Sequence, residues 1–185
     1  KRDGDKLGFP VFPIDWLSSE TGETFSGYRE QGFLSDAFIN MLAFLGWNPG
    51  TDQEVFSLSE LISAFSLDRV GRSGAKYDFS KTKWFNQQHL RLKTNQEIFE
   101  QIIKDNDSLA IDYSKDYLIK VIELVKERAT FYDDILFEGK PFLLKTIEFN
   151  KKAIIKKWKT EPIPDLMGLC QEFTALESFH HDDIE

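Results

Sequence analysis

Cysteine occurs once in this sequence, at Cys170, methionine twice and histidine three times. A lone cysteine cannot close an intramolecular disulfide, so a cytoplasmic setting is expected. His180 and His181 stand next to Asp182 and Asp183. Adjacent side chains do not converge on one ion without further ligands, so no metal site is expected and the stretch reads as a solvated helix start. No apolar run approaches the roughly 20 residues that span a bilayer, and the first residues lack the apolar core of a secretory leader. No membrane partner follows from such a chain. The glycine patterns of dinucleotide folds and of P-loops are missing; "GRSGAK" has the wrong spacing and no apolar strand before it, so it reads as a turn. There is no internal repeat and no low-complexity tract.

A catalytic constellation is also missing. Asp133 and Asp134 are sequential, and neighbours at i, i+1 on a helix do not face one another. Cys170 shares a helical face with Leu166, Leu169, Phe173 and Leu176, where a buried, inert thiol is expected. His89 stands among polar neighbours in a helix and is expected at the surface or its boundary. The residues point to binding rather than chemistry.

What is present is apolar material: 41% of the 185 residues are hydrophobic, and 17 are Phe. That suffices for one domain or two small ones and excludes a disordered chain. "FPVFPIDW" is too rich in proline for a helix or central strand. "SSETGETFSGY" reads as a turn-rich loop or edge hairpin. Helical periodicity then takes over. "SDAFINMLAFLGW" has Ser35 as candidate N-cap, an apolar face at Phe38, Met41, Leu42 and Leu45, and Gly46 at its end. Ser57 with Glu60, and Thr94 with Glu97, have the spacing of capping boxes. "DRVGRSGAKYDF" predicts a short strand plus turn, and "SKTKWFNQQHLRL" a helix. "SKDYLIKVIELVKERA" places Tyr117, Leu118, Val121, Ile122 and Val125 on one helical face. "DDILFEGKPF" is expected to stop at Gly139. "TIEFNKKAIIKKWK" and "DLMGLCQEFTALESF" predict two more helices, separated by "TEPIP". The terminal "HDDIE" reads as the start of another helix. A boundary is expected near Leu92–Thr94.

The net charge is −8, which argues against a nucleic-acid partner. Its distribution argues the other way. Cations concentrate between Arg69 and Lys93 and again between Lys151 and Lys159, interleaved with Tyr77, Trp84 and Trp158. Cations contact phosphates and aromatic faces stack on bases. Two functions remain open on these grounds: an RNA-binding chain, and an acidic all-helical protein-interaction module.

"YREQGFLSDAFINMLAFLGWNPG", "DQEVFSLSELISAFSLDRV", "SGAKYDFSKTKWFN" and "LVKERA", in that order and over most of the chain, resemble bacterial glutamyl-tRNA synthetase. "KRDGD" is similar to the end of that family's class I signature loop, Lys-Leu-Ser-Lys-Arg before Asp-Gly-Asp. The resemblance implies a mainly α fold: residues 1–5 as a remnant of the KMSKS loop, residues 6–93 as a helical stem-contact domain with a small βααβα-like β element, and residues 94–185 as an α-helical anticodon-binding domain incomplete at its C-terminal end. It implies that the Rossmann catalytic domain lies outside the chain, which by itself would be inactive and hold no cofactor. The whole enzyme would join glutamate to tRNA(Glu) with ATP and Mg2+, as a monomer. Lys1 and Arg2 would contact ATP. The tRNA-binding candidates are Arg69, Arg72, Lys76, Lys81, Lys83, Trp84 and Asn86 on the stem side, and Arg128, Lys151, Lys152 and Lys156 on the anticodon side. Residues 6–27 are longer than the corresponding segment of many family members, so no family contact carries over to them.

Overall fold

The structure, a computed structural model, describes residues 8–72, 74–144 and 163–175. It is mainly α, as expected, with two compact units, Lys1–Leu143 and Leu144–Glu185. The first unit opens with a hairpin, β1 (Trp16–Leu17) antiparallel to β2 (Thr24–Phe25). Its helices are α1 (Ser35–Phe44), α2 (Leu58–Ala64), α3 (Phe79–Leu92), α4 (Asn95–Asp105), α5 (Asp107–Asp112), α6 (Lys115–Val125) and α7 (Tyr132–Leu143). Two 3-10 turns, Leu67–Arg69 and Lys126–Arg128, interrupt the series. The second unit contributes α8 (Ile163–Ala175). Among the described residues, no helix is long and apolar enough to cross a membrane.

Local chemistry accounts for most of the helix starts. Both capping boxes form: Ser57 and Thr94 each accept the N–H three residues on, and Glu60 and Glu97 each accept the cap residue's own N–H. These hydrogen bonds hold both carboxyls below the usual range. The start of α1 differs. Leu34 takes the cap position and Ser35 is the first helical residue, without a side-chain cap. The Leu34 N–H is met instead by the Asn86 carboxamide, 52 residues away.

The main core gathers Leu90, Ile98, Ile102, Ile122, Val125, Ala129 and Ile135 from α3, α4, α6, α7 and the turn before α7. Each large side chain fully buried there contributes about 1.5–3 kcal/mol. A second cluster of Trp47, Phe56 and Leu61 closes between α1 and α2. On α1 the buried residues are Ala37, Asn40 and Met41, whereas Leu42 is exposed. The buried face is thus turned from the expected one, because α1 packs on α3 through a polar contact. The "DRV" stretch forms a 3-10 turn and a single bridge, Trp47 to Val70, rather than a strand.

Helix α7 does not stop at Gly139 but runs through Pro141 to Leu143. Gly139 is buried, and a Cβ there would lie 3.0 Å from Val121 Cγ1, so the glycine serves close packing on α6. The Tyr113 and Tyr117 hydroxyls donate to the Leu143 and Phe142 carbonyls, satisfying acceptors that a helix end leaves open. On α8, Cys170 and Leu169 are exposed rather than buried. An apolar stripe is buried only where another layer covers it, which the helical period alone does not specify.

The hairpin is tied down by close backbone approach. Tyr28 and Arg29 N–H groups donate to the Phe12 and Pro13 carbonyls, and Gly27 N–H donates to Asp15 Oδ1 at 2.9 Å. A Cβ on Gly27 would fall 2.2 Å from the Ile14 carbonyl carbon. Gly27→Ala is therefore expected to cost about 1–3 kcal/mol in urea unfolding. Gly74→Ala, where an added Cβ meets nothing within 4 Å, should stay within about 0.5 kcal/mol. Equal stabilities would refute the close approach.

Candidate nucleic-acid interface

Helix α3 joins the interior to the basic surface. Asp78 caps it, its Oδ1 accepting from the Ser80 and Lys81 N–H groups at 2.8 and 3.2 Å. Thr82, Phe85, Asn86, His89 and Leu90 face inward. Ser80 and Lys83 are exposed, and Lys81, Trp84, Gln87, Gln88 and Arg91 are half-buried.

The inward face carries polar groups, and each has a partner. Asn86 has no exposed surface. Its Oδ1 accepts from Leu34 N–H at 2.8 Å, and its Nδ2 donates to the Thr130 carbonyl at 2.6 Å. Asn86 is thus an interior tie and does not face solvent. His89 is also buried, against its expected place at the surface, because α1 lies over it. Asn40 Oδ1 already accepts from Phe56 N–H at 2.8 Å, so the His89 Nε2 at 3.0 Å must be the donor. Burial pushes the His89 pKa down, opposed by Asp36 and assisted by Lys93.

The outer cations divide into two groups. Arg69 donates to the Pro49 carbonyl and lies against Gly50, whose φ is +73°. With the pairs Asn48 N–H to Arg69 carbonyl and Gly71 N–H to Gly46 carbonyl, it holds the Gly46–Gly50 loop. Lys81 Nζ is 2.6 Å from Glu54 and 4.3 Å from the centre of the Trp84 ring. Lys81 thereby covers one aromatic face that a base would use, a cation–π contact. Tyr77 turns inward: its hydroxyl is 2.5 Å from that of Tyr28 and its ring meets Phe9. Burial, with this hydrogen bond, pushes the Tyr28 phenol up.

Arg72, Lys76, Lys83 and Arg128 form the second group. All four are exposed and have no acidic partner among the described residues. Lys83 Nζ lies 4.9 Å from the Phe79 ring. Arg72 and Lys76 sit on the loop before α3, Lys83 on α3, and Arg128 on the Lys126–Arg128 turn. Elsewhere a cleft of about 450 Å³ opens between the 29–34 loop, α4 and the start of α7. Glu30, Asp105 and Asp133 line it with one cation, Arg29, which pairs with Glu30, and the net negative charge disfavours a phosphate there. Lys1, Arg2, Lys151, Lys152, Lys156 and Trp158 lie outside the described residues.

The model of a family described as anticodon binding domain matches residues 82–185, more than half of the chain, beginning inside α3. A glutamate–tRNA ligase from Phocaeicola vulgatus is 43% identical across 100% of this chain and 37% of its own length. One from Christiangramia forsetii is 40% identical across 100% of this chain and 37% of its own length. The crystal structure of a glutamate tRNA ligase from Elizabethkingia meningosepticum, in complex with its amino acid, superposes with a TM-score of 0.84 at 42% identity. That match covers 95% of this chain and 35% of the other. The chain thus spans a little over a third of the length of these relatives.

The buried imidazole makes stability depend on pH. Its folded pKa lies below the unfolded value of 6.5, so the unfolded chain binds the extra proton first as pH falls. Stability is full above about pH 6.5 and declines as pH drops from there toward the folded pKa. The urea midpoint should be lower at pH 5.5 than at pH 7.5. In His89→Gln, whose amide can also donate to Asn40 and does not titrate, the difference should shrink. An undiminished difference in the variant would show that His89 is not its source.

Proposed function

The chain belongs to the anticodon binding domain family, and from that premise we propose that it is the tRNA-binding portion of a glutamate–tRNA ligase. The observation that carries this is the end-to-end match, at about 40% identity, to relatives bearing that name. The whole protein would activate glutamate with ATP and Mg2+ in the cytoplasm and transfer it to tRNA(Glu), as a monomer. Residues 6–93 form the stem-contact part and residues 94–185 the anticodon-binding part in this proposal.

The roles of the side chains follow from their surroundings. Arg72, Lys76 and Lys83 contact backbone phosphates of the stem, which fixes register without reading sequence. Arg128, with Lys151, Lys152 and Lys156, meets the anticodon arm, where unstacked bases expose their edges. Arg69 and Lys81 act less directly, one by holding a loop and the other by pairing with Glu54. On the face that Lys81 covers, Trp84 stacks on RNA only when Lys81 leaves. Asn86 keeps α3 in place. Lys1 and Arg2 are the last two positions of the ATP loop, where fixed positive charge faces the phosphates as adenylate forms.

The test is equilibrium binding of the 185-residue chain to a glutamate tRNA transcript at several salt concentrations. Each cation that neutralises a phosphate contributes about 0.7–0.9 to the slope of log K against log salt. Arg72→Ala, Lys76→Ala and Lys83→Ala are each expected to lower the slope by about that amount, with Lys81→Ala doing less. Absence of binding at low salt, or unchanged slopes in all variants, returns the chain to an acidic helical protein-interaction module.

The ATP-loop assignment is tested separately in the whole protein. Lys1→Ala should slow ATP–pyrophosphate exchange by about 10²–10³-fold, the loss typical of one preorganised donor, and leave tRNA affinity unchanged. Exchange at the wild-type rate would remove the assignment.

A further inference from the structure

Six residues, Lys126 to Phe131, connect α6 to α7, and four of the first five are held by the second half of α3 and its C-cap. Lys126 Nζ donates to the Lys93 carbonyl at the C-cap of α3. Arg91 Nε lies 3.1 Å from Glu127 Oε2, and its guanidinium also donates to the Glu127 backbone carbonyl. Ala129 has no exposed surface and shares the core with Leu90. The Thr130 carbonyl accepts from Asn86. Only Arg128 is exposed and without a partner among the described residues.

The contacts run in both directions. A cation of the turn meets a carbonyl at the end of α3, where the helix dipole favours positive charge. A cation of α3 in turn meets the backbone and side chain of the turn. The Arg91 guanidinium combines one hydrogen bond to the backbone with a charge contact to the Glu127 carboxylate, made through an Nε that has no hydrogen-bond partner; an ammonium is a single point charge. Arg91 also stands seven residues from Trp84, two helical turns along the same face of α3.

We propose that Arg91 is a positioning residue: by gripping Glu127 it fixes the turn so that Arg128 is presented to RNA in register with the outer face of α3. The inference rests on the proposed contact of Arg128 with tRNA. It goes further in naming what aims that side chain and in adding the Arg91–Glu127 pair to the Lys126–Lys93 and Asn86–Thr130 contacts that join the stem-contact and anticodon-binding parts. Arg91 and Glu127 are 35% and 69% exposed as side chains. Ion pairs that exposed add little to folding stability, so losing this one should register in RNA binding more than in melting.

The experiment is a double-mutant cycle on the 185-residue chain, with affinity for a glutamate tRNA transcript measured at one fixed low salt concentration and thermal melting measured alongside. Arg128→Ala and Arg91→Ala are each expected to weaken binding on the order of threefold to tenfold, and the double variant no more than the weaker single one, because groups acting as a unit are not additive. Glu127→Ala separates positioning from direct contact. It removes a negative charge and frees Arg91, so a directly contacting Arg91 would bind RNA more tightly. A positioning Arg91 would instead leave binding about twofold weaker, despite the lost acid, and that loss would vanish in the Arg128→Ala background. Arg91→Lys should recover part of the loss.

Additive losses, wild-type affinity in Arg91→Ala, or tighter binding in Glu127→Ala each overturn the positioning role while leaving Arg128 in place. Wild-type affinity in Arg128→Ala removes the contact on which the proposal stands and overturns both. Loss of affinity matched by melting below the assay temperature in Arg91→Ala, with Glu127→Ala folded and binding normally, also overturns it as a folding effect.

Discussion

The carboxamide of Asn86 is the contact on which the rest of the first unit depends. It sits midway along α3 with no exposed surface, accepting from the first residue before α1 and donating to the residue two before α7. An aliphatic side chain there would leave a part-buried N–H and a part-buried carbonyl without this partner, at up to about 1–3 kcal/mol each. The amide therefore serves specificity as much as stability, since its two ends accept only one arrangement of α1, α3 and α7. His89, one turn further on, repeats the logic with Asn40, whose own amide closes on Phe56 and Glu54. Polar ties of this kind orient helices that greasy contacts alone would allow to slide.

A helix held so firmly on one side becomes a rigid mount for what it carries on the other. The backbone positions of Lys81, Lys83, Trp84 and Arg91 are set by α3, which is anchored at its start by Asp78 and at its end by Lys126. Through that end the same helix governs the turn that bears Arg128. Side chains mounted on a shared helix keep their spacing more faithfully than side chains on a loop. The negative net charge is no obstacle to such a surface. Three acids line the 29–34 cleft, whereas Arg72, Lys76, Lys83 and Arg128 have no acidic partner among the described residues, which leaves local fields of opposite sign.

Much was legible in the sequence because it is local. Ser57 with Glu60, and Thr94 with Glu97, reach only three residues, so spacing alone specified both capping boxes. On α6, Leu118, Val121, Ile122 and Val125 are buried as the helical period predicted, whereas Tyr117, placed on the same face, is exposed. Ser35 and Gly139 misled for a common reason. Each is a frequent local signal, for starting and for stopping a helix, and each was overruled by a partner distant in sequence: Asn86 at the start of α1, and Val121 with two tyrosine hydroxyls at the end of α7. Within the candidate interface, composition marked the basic segment but could not sort it. Arg69 and Arg72 look alike in sequence, and only the Pro49 carbonyl beside one of them tells them apart.

The sequence by itself determined that the chain is mainly helical, where most of its helices lie, and which family it resembles, because periodicity, caps and ordered blocks of residues are properties of neighbours along the chain. The tertiary structure decided, among the described residues, which polar residues are interior and which cations have no acidic partner. Asn86, His89 and Tyr77 belong to the interior, Arg69 and Lys81 to structural contacts, and Arg72, Lys76, Lys83 and Arg128 to the open surface. The physical reason is that burial and pairing depend on what packs against a side chain. For Asn86 that is Leu34 and Thr130, 52 and 44 positions away, a separation at which no pattern in the sequence reports contact.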